Sequence, residues 1–551
     1  MVYNSGTGIT DHIDMLDKLI EVVTSRNLTA VAINAGGTGH AIGDVIEITA
    51  TGSTSTIVAQ LEVTTLSGSA ISGIRIYRGG AYTVDPTTTT ANAQSGTSGL
   101  GSAATFDLTF SAATWSVNRR TQKAVSAAIG TAGTGYTVGD QLTVTGGVSG
   151  FFQSDAVFNV DTITGGGGTG PVGTVSVVSA SEGNFEEVPA NDVAVTGGTG
   201  SGCELTVTWG DPTATNSPGQ VAMLQGNGLA GADDIHVILR PYSLDINFDT
   251  AYNWALAGCT AYNSALPVHQ QVGVNSNQLD SGDGDLPATD VGSYLVLKNN
   301  DGTGAITWWI NHTGRRITMV CKVVGASTVQ YSSMHVGFLN QFGTSTEYPY
   351  PLAVIGQTND RDRLWYESSL LTGGIVETIA NTAGDPTGPG FVRVPAGTWL
   401  GFSAENSSSG SNRTVETEFG VYPFMNPVAV GGVNGTVGST SDVGWSIGGH
   451  TIIPPNGVPG SQTLLLKPTE GTGDPYYWLV APFVMRQENS GANLFPDFHN
   501  LFGEIDGVFW FHTGGNAVVS EDRFVLGTRR YTIFQNGNRT QNWSYFALDE
   551  D

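Results

Sequence analysis

The strongest constraint on this chain is an octet that it uses twice. Gly37-Thr38-Gly39-His40-Ala41-Ile42-Gly43-Asp44 reappears as Gly133-Thr134-Gly135-Tyr136-Thr137-Val138-Gly139-Asp140, identical at its three glycines, its first threonine and its aspartate. Each copy runs into a stretch that alternates apolar and polar side chains, Val45-Ile46-Glu47-Ile48-Thr49-Ala50 and Gln141-Leu142-Thr143-Val144-Thr145. Glycine supplies the positive φ of a tight turn, and Gly-Asp carries the chain from that turn into a strand. A phosphate-cradling loop would need a helix N-terminus behind the glycines, and a period-two run stands there instead.

The flanks repeat in the same order. Gly80-Ala81-Tyr82 is followed by the alternating Thr105-Phe106-Asp107-Leu108-Thr109-Phe110, and Gly183-Asn184-Phe185 by Glu204-Leu205-Thr206-Val207-Thr208-Trp209. Residues 29–112 and 113–210 therefore read as two tandem β modules, and residues 31–110 and 125–209 are expected to superimpose. The stretch 111–123 between them reads as a linker too short to be a domain. Turn formers fill 210–219, which predicts a domain boundary there.

Before the modules lies one convincing helical pattern, over 10–25. Ile13, Leu16, Ile20 and Val23 share a face, Thr10 or Asp11 can cap it, and Arg26-Asn27 ends it. A helix this short needs a docking surface, either its own module or a neighbouring copy, so residues 1–28 read as an attachment segment. After residue 220, short apolar runs fall at 234–239, 294–298, 306–310, 317–324, 334–338, 463–467, 477–485, 507–511 and 531–535. Gly, Pro and Asn turns separate them, so residues 220–551 read as one large aromatic-rich, β-sandwich-like domain with room for two subdomains. The fold class is mainly β.

Composition narrows the function. The chain has 76 glycines in 551 residues, about twice ordinary usage, and only 13% charged residues. Its net charge of −26 repels phosphate backbones and anionic membrane surfaces, so nucleic acid is not an expected partner. Arg119-Arg120, Arg315-Arg316 and Arg529-Arg530 are read as solvated or sheet-flanking pairs. Neither a membrane-length apolar run nor a secretory signal pattern is visible. Cys203, Cys259 and Cys321 are too scattered for a disulfide framework or zinc site and are expected as buried thiols. The nine histidines form no zinc-hydrolase spacing.

Several motifs resemble a known family. The Gly-x-Gly-Tyr-x-x-Gly-Asp order is similar to glycine-rich β modules of tailed-bacteriophage tail and virion proteins. Tyr252-Asn253-Trp254, Thr307-Trp308-Trp309-Ile310-Asn311-His312-Thr313-Gly314-Arg315-Arg316, Tyr348-Pro349-Tyr350-Pro351, Asn500-Leu501-Phe502-Gly503-Glu504-Ile505-Asp506-Gly507 and Phe534-Gln535-Asn536 look like successive landmarks of a virion structural protein family. The resemblance implies a tail-associated virion component (baseplate, collar or fibre-like) made in the host cytoplasm. It would work by assembling with other tail proteins and with copies of itself, as a trimer, and it implies no catalytic, cofactor-binding or metal-binding residue.

Two other classes compete. A receptor- or glycan-binding adhesin would use the C-terminal aromatics as its head, with a host surface glycan or receptor as partner. A polysaccharide-degrading enzyme would need paired carboxylates brought together from separate strands. Gly444-Trp445-Ser446-Ile447-Gly448 matches a nucleophile elbow, yet Pro454-Pro455 follows where the elbow needs a helix. The acidic loop Asp280-Ser281-Gly282-Asp283-Gly284-Asp285 lacks the twelfth-position glutamate of a calcium loop and reads as a solvated turn. The N-terminal helix at one end and the aromatic domain at the other suggest the modules as a spacer, with the C-terminal half displayed outward.

Overall fold

The computed structural model describes residues 2–84, 86–150, 155–213, 219–228, 235–243, 252–259, 262–271, 274, 279, 286–288, 293–298, 305–324, 329–338, 340–341, 352–356, 361, 445–447, 450–452, 479–486, 501–512, 519–527, 529–535 and 545–551. The fold is mainly β, with antiparallel pairing throughout the strand pairs of these residues. Its centre is a sandwich whose strands come from three separated parts of the chain. One sheet runs in the order Val2–Ile9, Ile306–Thr313, Arg316–Val324, Val329–Phe338, Leu352–Ile355. The other runs Trp115–Arg120, Ala222–Gly226, Ile235–Ser243, Tyr252–Cys259, Ser293–Lys298.

Alternation explains how the two sheets meet. In Ile235–Ser243, Ile235, Val237 and Leu239 point into the core between the sheets, while Ile238 on the opposite face joins Val221, Met223 and Val268 in a second cluster. The strand is therefore buried at every position, with an apolar face toward the sandwich core and a face on which Ile238 stands between the buried His236 and Arg240.

The N-terminal helix, His12–Thr24, lies in that sandwich core. Asp11 caps it by accepting from the Ile13 and Asp14 amides at 2.9 and 2.8 Å, which satisfies two of the otherwise orphaned first-turn donors. Met15, Leu16, Leu19, Val22 and Val23 pack with Trp115, Leu224, Trp254 and Trp308. Each such burial is worth roughly 1.5–3 kcal/mol. Trp254 Nε1 also donates to the His12 carbonyl at 3.0 Å, and the His12 ring stacks on Tyr252 at 4.5 Å. The helix thus docks within the chain, chiefly on the sandwich, in a core that also takes in Ile57 and Ala81 of the first module.

The segments read as an attachment arm and a linker are structural strands of the sandwich. Val2–Ile9 pairs with Ile306–Thr313, and Trp115–Arg120 with Ala222–Gly226. The boundaries drawn at 28, 112 and 220 divide residues that share one core. Among the described residues, the N-terminal strand and helix share one core with residues 222–354 and do not stand apart from them.

The two modules are insertions into this sandwich, and four of their strand pairs repeat in the same order, while one strand of module 2, Val193–Thr196, stands where module 1 has the two short strands Asn92–Ala93 and Gly96–Thr97. In module 1, Leu28–Thr38 pairs with Ser102–Phe110, Val45–Ile48 with Ala59–Ser67, Ala59–Ser67 with Ala70–Arg78, and Thr54–Ile57 with Ala81–Val84. In module 2 the same order gives Lys123–Thr134 with Ser201–Gly210, Gln141–Val144 with Ala156–Ile163, Ala156–Ile163 with Val172–Glu182, and Val148–Ser149 with Phe185–Glu187. Their cores match as well, with Ile46, Ile48, Val63 and Phe106 in one and Leu142, Val144, Val160 and Leu205 in the other. A further sheet of Asn340–Gln341, Leu501–His512, Tyr545–Asp549, Arg529–Gln535 and Arg523–Leu526, with Leu479–Arg486 beside it, carries the chain to its last residues.

Candidate functional site at the module junctions

The repeated octet builds the far end of each module. Gly37, Gly39 and Gly43 have φ of 63°, 76° and 89°, and Gly133, Gly135 and Gly139 have 61°, 81° and 90°. A Cβ on Gly37 would lie 2.3 Å from the Ser102 carbonyl oxygen, and on Gly133 2.5 Å from that of Ser201, so close backbone approach demands glycine at both. Asp44 accepts from the Ala41 amide at 2.8 Å, and Asp140 from the Thr137 amide at 2.9 Å. The Thr137 and Thr199 amides and the Thr199 hydroxyl hold the Asp140 carboxyl well below the usual range. These contacts lock a turn. Ile42 and Val138, equivalent in the octet, stand exposed on it.

The near ends are where the two modules differ. Each begins with the same two-bond bridge, Arg26 with Tyr82 and Gln122 with Phe185. At the first junction, the Arg530 guanidinium donates to Glu62 at 2.6 Å and to the Ile76 carbonyl at 2.8 Å, and it is ion-paired with the buried Glu550. Arg523 donates to Glu550 at 2.8 Å and lies 3.7 Å over the Tyr77 ring. Arg75 grips Glu62 through two bonds of 3.1 Å. Burial pulls the Glu62 carboxyl upward, but Arg75 and Arg530 outweigh it and hold the group below its ordinary value. Tyr3 from the first strand closes the cluster with a 3.1 Å bond to Thr532. A cleft of about 260 Å³ opens beside it, lined by Tyr3, Thr29, Tyr77 and Glu550 among others.

The second junction rests on Arg119 and Glu186, both buried. Arg119 donates to Glu187 and to the Ser264 carbonyl, with the Tyr262 ring centroid 5.6 Å away. One oxygen of Glu186 accepts from the Val268 amide at 2.6 Å, and the other has no hydrogen-bond partner among the described residues. Burial pushes the Glu186 carboxyl up to about 8, against smaller opposing pulls from the Val268 amide and Arg119. Gln220 donates to Asn184 at 3.0 Å beside it.

No role for these residues is legible in the sequence alone, and in each arginine pair one member is buried, not solvated. Arg119, Arg316 and Arg530 are buried, each beside a more exposed neighbour. Consecutive residues of a strand face opposite ways, which turns one arginine inward in Trp115–Arg120 and in Arg529–Gln535, while Arg316 turns inward as the first residue of its strand after the turn at Arg315. Arg316 does so against Asp506 at 2.8 Å and Asn311 at 2.9 Å. No comparable local signal marked Glu186, which reads in sequence as half of an ordinary acidic dipeptide.

The other motifs fall as follows. Ser446 lies in strand Trp445–Ile447, which pairs with His450–Ile452, so a second strand stands where an elbow needs a helix. The acidic loop 280–285, the stretch 463–467 and the landmark at 348–351 lie outside the described residues. Trp254, Trp308 and Trp309 are core residues, so they offer no open sugar platform. Cys203, Cys259 and Cys321 are buried free thiols, as expected. No helix among the described residues is long and apolar enough to cross a membrane. No family model matches the chain, and no curated protein matches it either.

Proposed function

We propose that this chain is a structural component of a tailed-bacteriophage virion, located in the tail region, which acts by assembling with copies of itself and with other tail proteins. The observation that carries the proposal is the pair of equivalent β modules, each inserted through a bridged neck into one sandwich. Strands Leu28–Thr38 and Lys123–Thr134 run from neck to octet, so each tip stands about 35 Å from its neck at ~3.3 Å per residue. Arms of this kind present fixed surfaces at fixed spacing, which suits a subunit that must hold its neighbours in register. The resemblance of the octets and of the later aromatic landmarks to tail proteins adds the location.

Closed rotational symmetry lets one surface patch serve every contact in a ring, and a trimer is the assembly we propose. Proteomic mass spectrometry of purified phage particles, with light scattering of the purified chain, tests both parts. Stoichiometric recovery from particles and a trimeric mass are expected. A monomeric chain that is absent from particles would refute the reading. An adhesin role is less well supported, because the described tryptophans of the sandwich are buried.

A further inference from the structure

We infer that Glu186 is a pH-operated latch: in its neutral form it seats module 2 on the sandwich, and on losing its proton it loosens that junction while module 1 stays in place. The geometry carries this. The side chain is buried where Phe185–Glu187 meets Val268–Gln270, with one donor, the Val268 amide, for two oxygens. Its unpartnered oxygen lies 3.5 Å from where a Cβ on Gly150 would sit, against backbone that offers it no hydrogen bond. A neutral carboxyl tolerates that setting, whereas a buried carboxylate needs more donors or a committed counter-charge.

Most of the counter-charge is already committed. Arg119, the cation facing Glu186 from the sandwich, donates through its two terminal nitrogens to Glu187 and the Ser264 carbonyl and keeps only its Nε without a hydrogen-bond partner among the described residues. The other titratable groups around the junction, among the described residues, are Glu187 on the same strand, Tyr262 against Arg119, His236 against Tyr262, His269 next to Val268 and the buried Lys123 next to the bridge residue Gln122. Glu187 adds a second negative charge, so ionisation of Glu186 sets two carboxylates in competition for one guanidinium. Module 1 has Thr83 and Val84 at the equivalent places after Tyr82, and no such switch.

The sign follows from linkage. A carboxyl raised in the folded state favours folding while protonated, so its contribution is complete below its unfolded value and is lost as pH rises toward about 8.

Hydrogen exchange of the full chain, corrected for intrinsic rates, tests the latch. Between pH 6 and pH 9, opening of Phe185–Glu187 and Val268–Gln270 should rise by at least about tenfold. Opening of Ala81–Val84 should stay unchanged, and Glu186→Gln should abolish the rise. Equal responses in both modules, or a rise that survives in Glu186→Gln, would overturn the inference. Infrared titration of the wild-type protein keeps the test decisive if that variant misfolds. A protonated-carboxyl band that persists at pH 7 and fades by pH 9 is expected, and full ionisation of every carboxyl by pH 7 would overturn it.

Discussion

Modules 1 and 2 share a strand plan and turn chemistry, yet they are fastened to the rest of the chain by different physics, module 1 to the C-terminal sheet and module 2 to the sandwich. Module 1 is held by an ion network of Arg530, Arg523, Glu62 and Glu550, in which each carboxylate meets at least one guanidinium. Module 2 is held by a buried acid with one donor and by a single arginine, Arg119, paired with Glu187. The fold of a module is therefore set by what repeats, namely the glycine turns and the alternation, and its attachment by what does not. The same backbone bridge, Arg26 with Tyr82 or Gln122 with Phe185, serves both kinds of fastening.

The largest expected effect breaks the first fastening. Arg530→Met leaves the buried Glu550 short of one of its partners and should cost ~3–5 kcal/mol of stability in denaturant unfolding. It should also free module 1 in hydrogen exchange while module 2 stays protected; a loss spread evenly over both modules would show that the network is not specific to one.

Acid should act on the shared sandwich rather than on either fastening. Burial lowers His12, His312 and His335 to about 3, with Arg316 adding to the effect at His312 and His335. A histidine kept neutral by folding binds its proton more readily when unfolded, so stability falls as pH drops below about 6.5, by roughly 2 kcal/mol per histidine at pH 5. Thermal melts from pH 7 to pH 5 should show that loss, read in Glu186→Gln to remove the opposing gain of that carboxyl over the same range. His312→Asn should shrink it by about a third.

How much of this was legible follows from distance along the chain. The octets, the helix and most later strands are local patterns: Ile317, Met319 and Cys321 alternate inward in Arg316–Val324, as the run at 317–324 foretold. Strand Val2–Ile9 was not legible, because its glycines and serine show no alternation and its partner lies about 300 residues away. Trp115–Arg120 looked like a polar linker for a similar reason, since the pairing with Ala222–Gly226 that makes it a strand is remote. The junction residues were hidden further, since burial of Glu186 or Glu550 is a property of the assembled neck.

Smaller substitutions sharpen the equivalence of the modules. Gly37→Ala and Gly133→Ala each force a side chain into a positive-φ position against a carbonyl, and each should cost ~1–3 kcal/mol, alike within about 0.5 kcal/mol. Unequal costs in urea unfolding would mean that the two turns are not under the same constraint. At the small end, Ser446→Ala should leave any hydrolase activity of the purified protein unchanged, and abolition of such an activity would restore the elbow reading.

Reconstruction of the intact particle by electron cryomicroscopy tests the central claim most directly. The account predicts symmetry-related copies in the tail region, each a sandwich bearing two arms of equal fold, with the N-terminal strand Val2–Ile9 embedded beside Ile306–Thr313. Particles whose tail density accommodates no such two-armed subunit would contradict it.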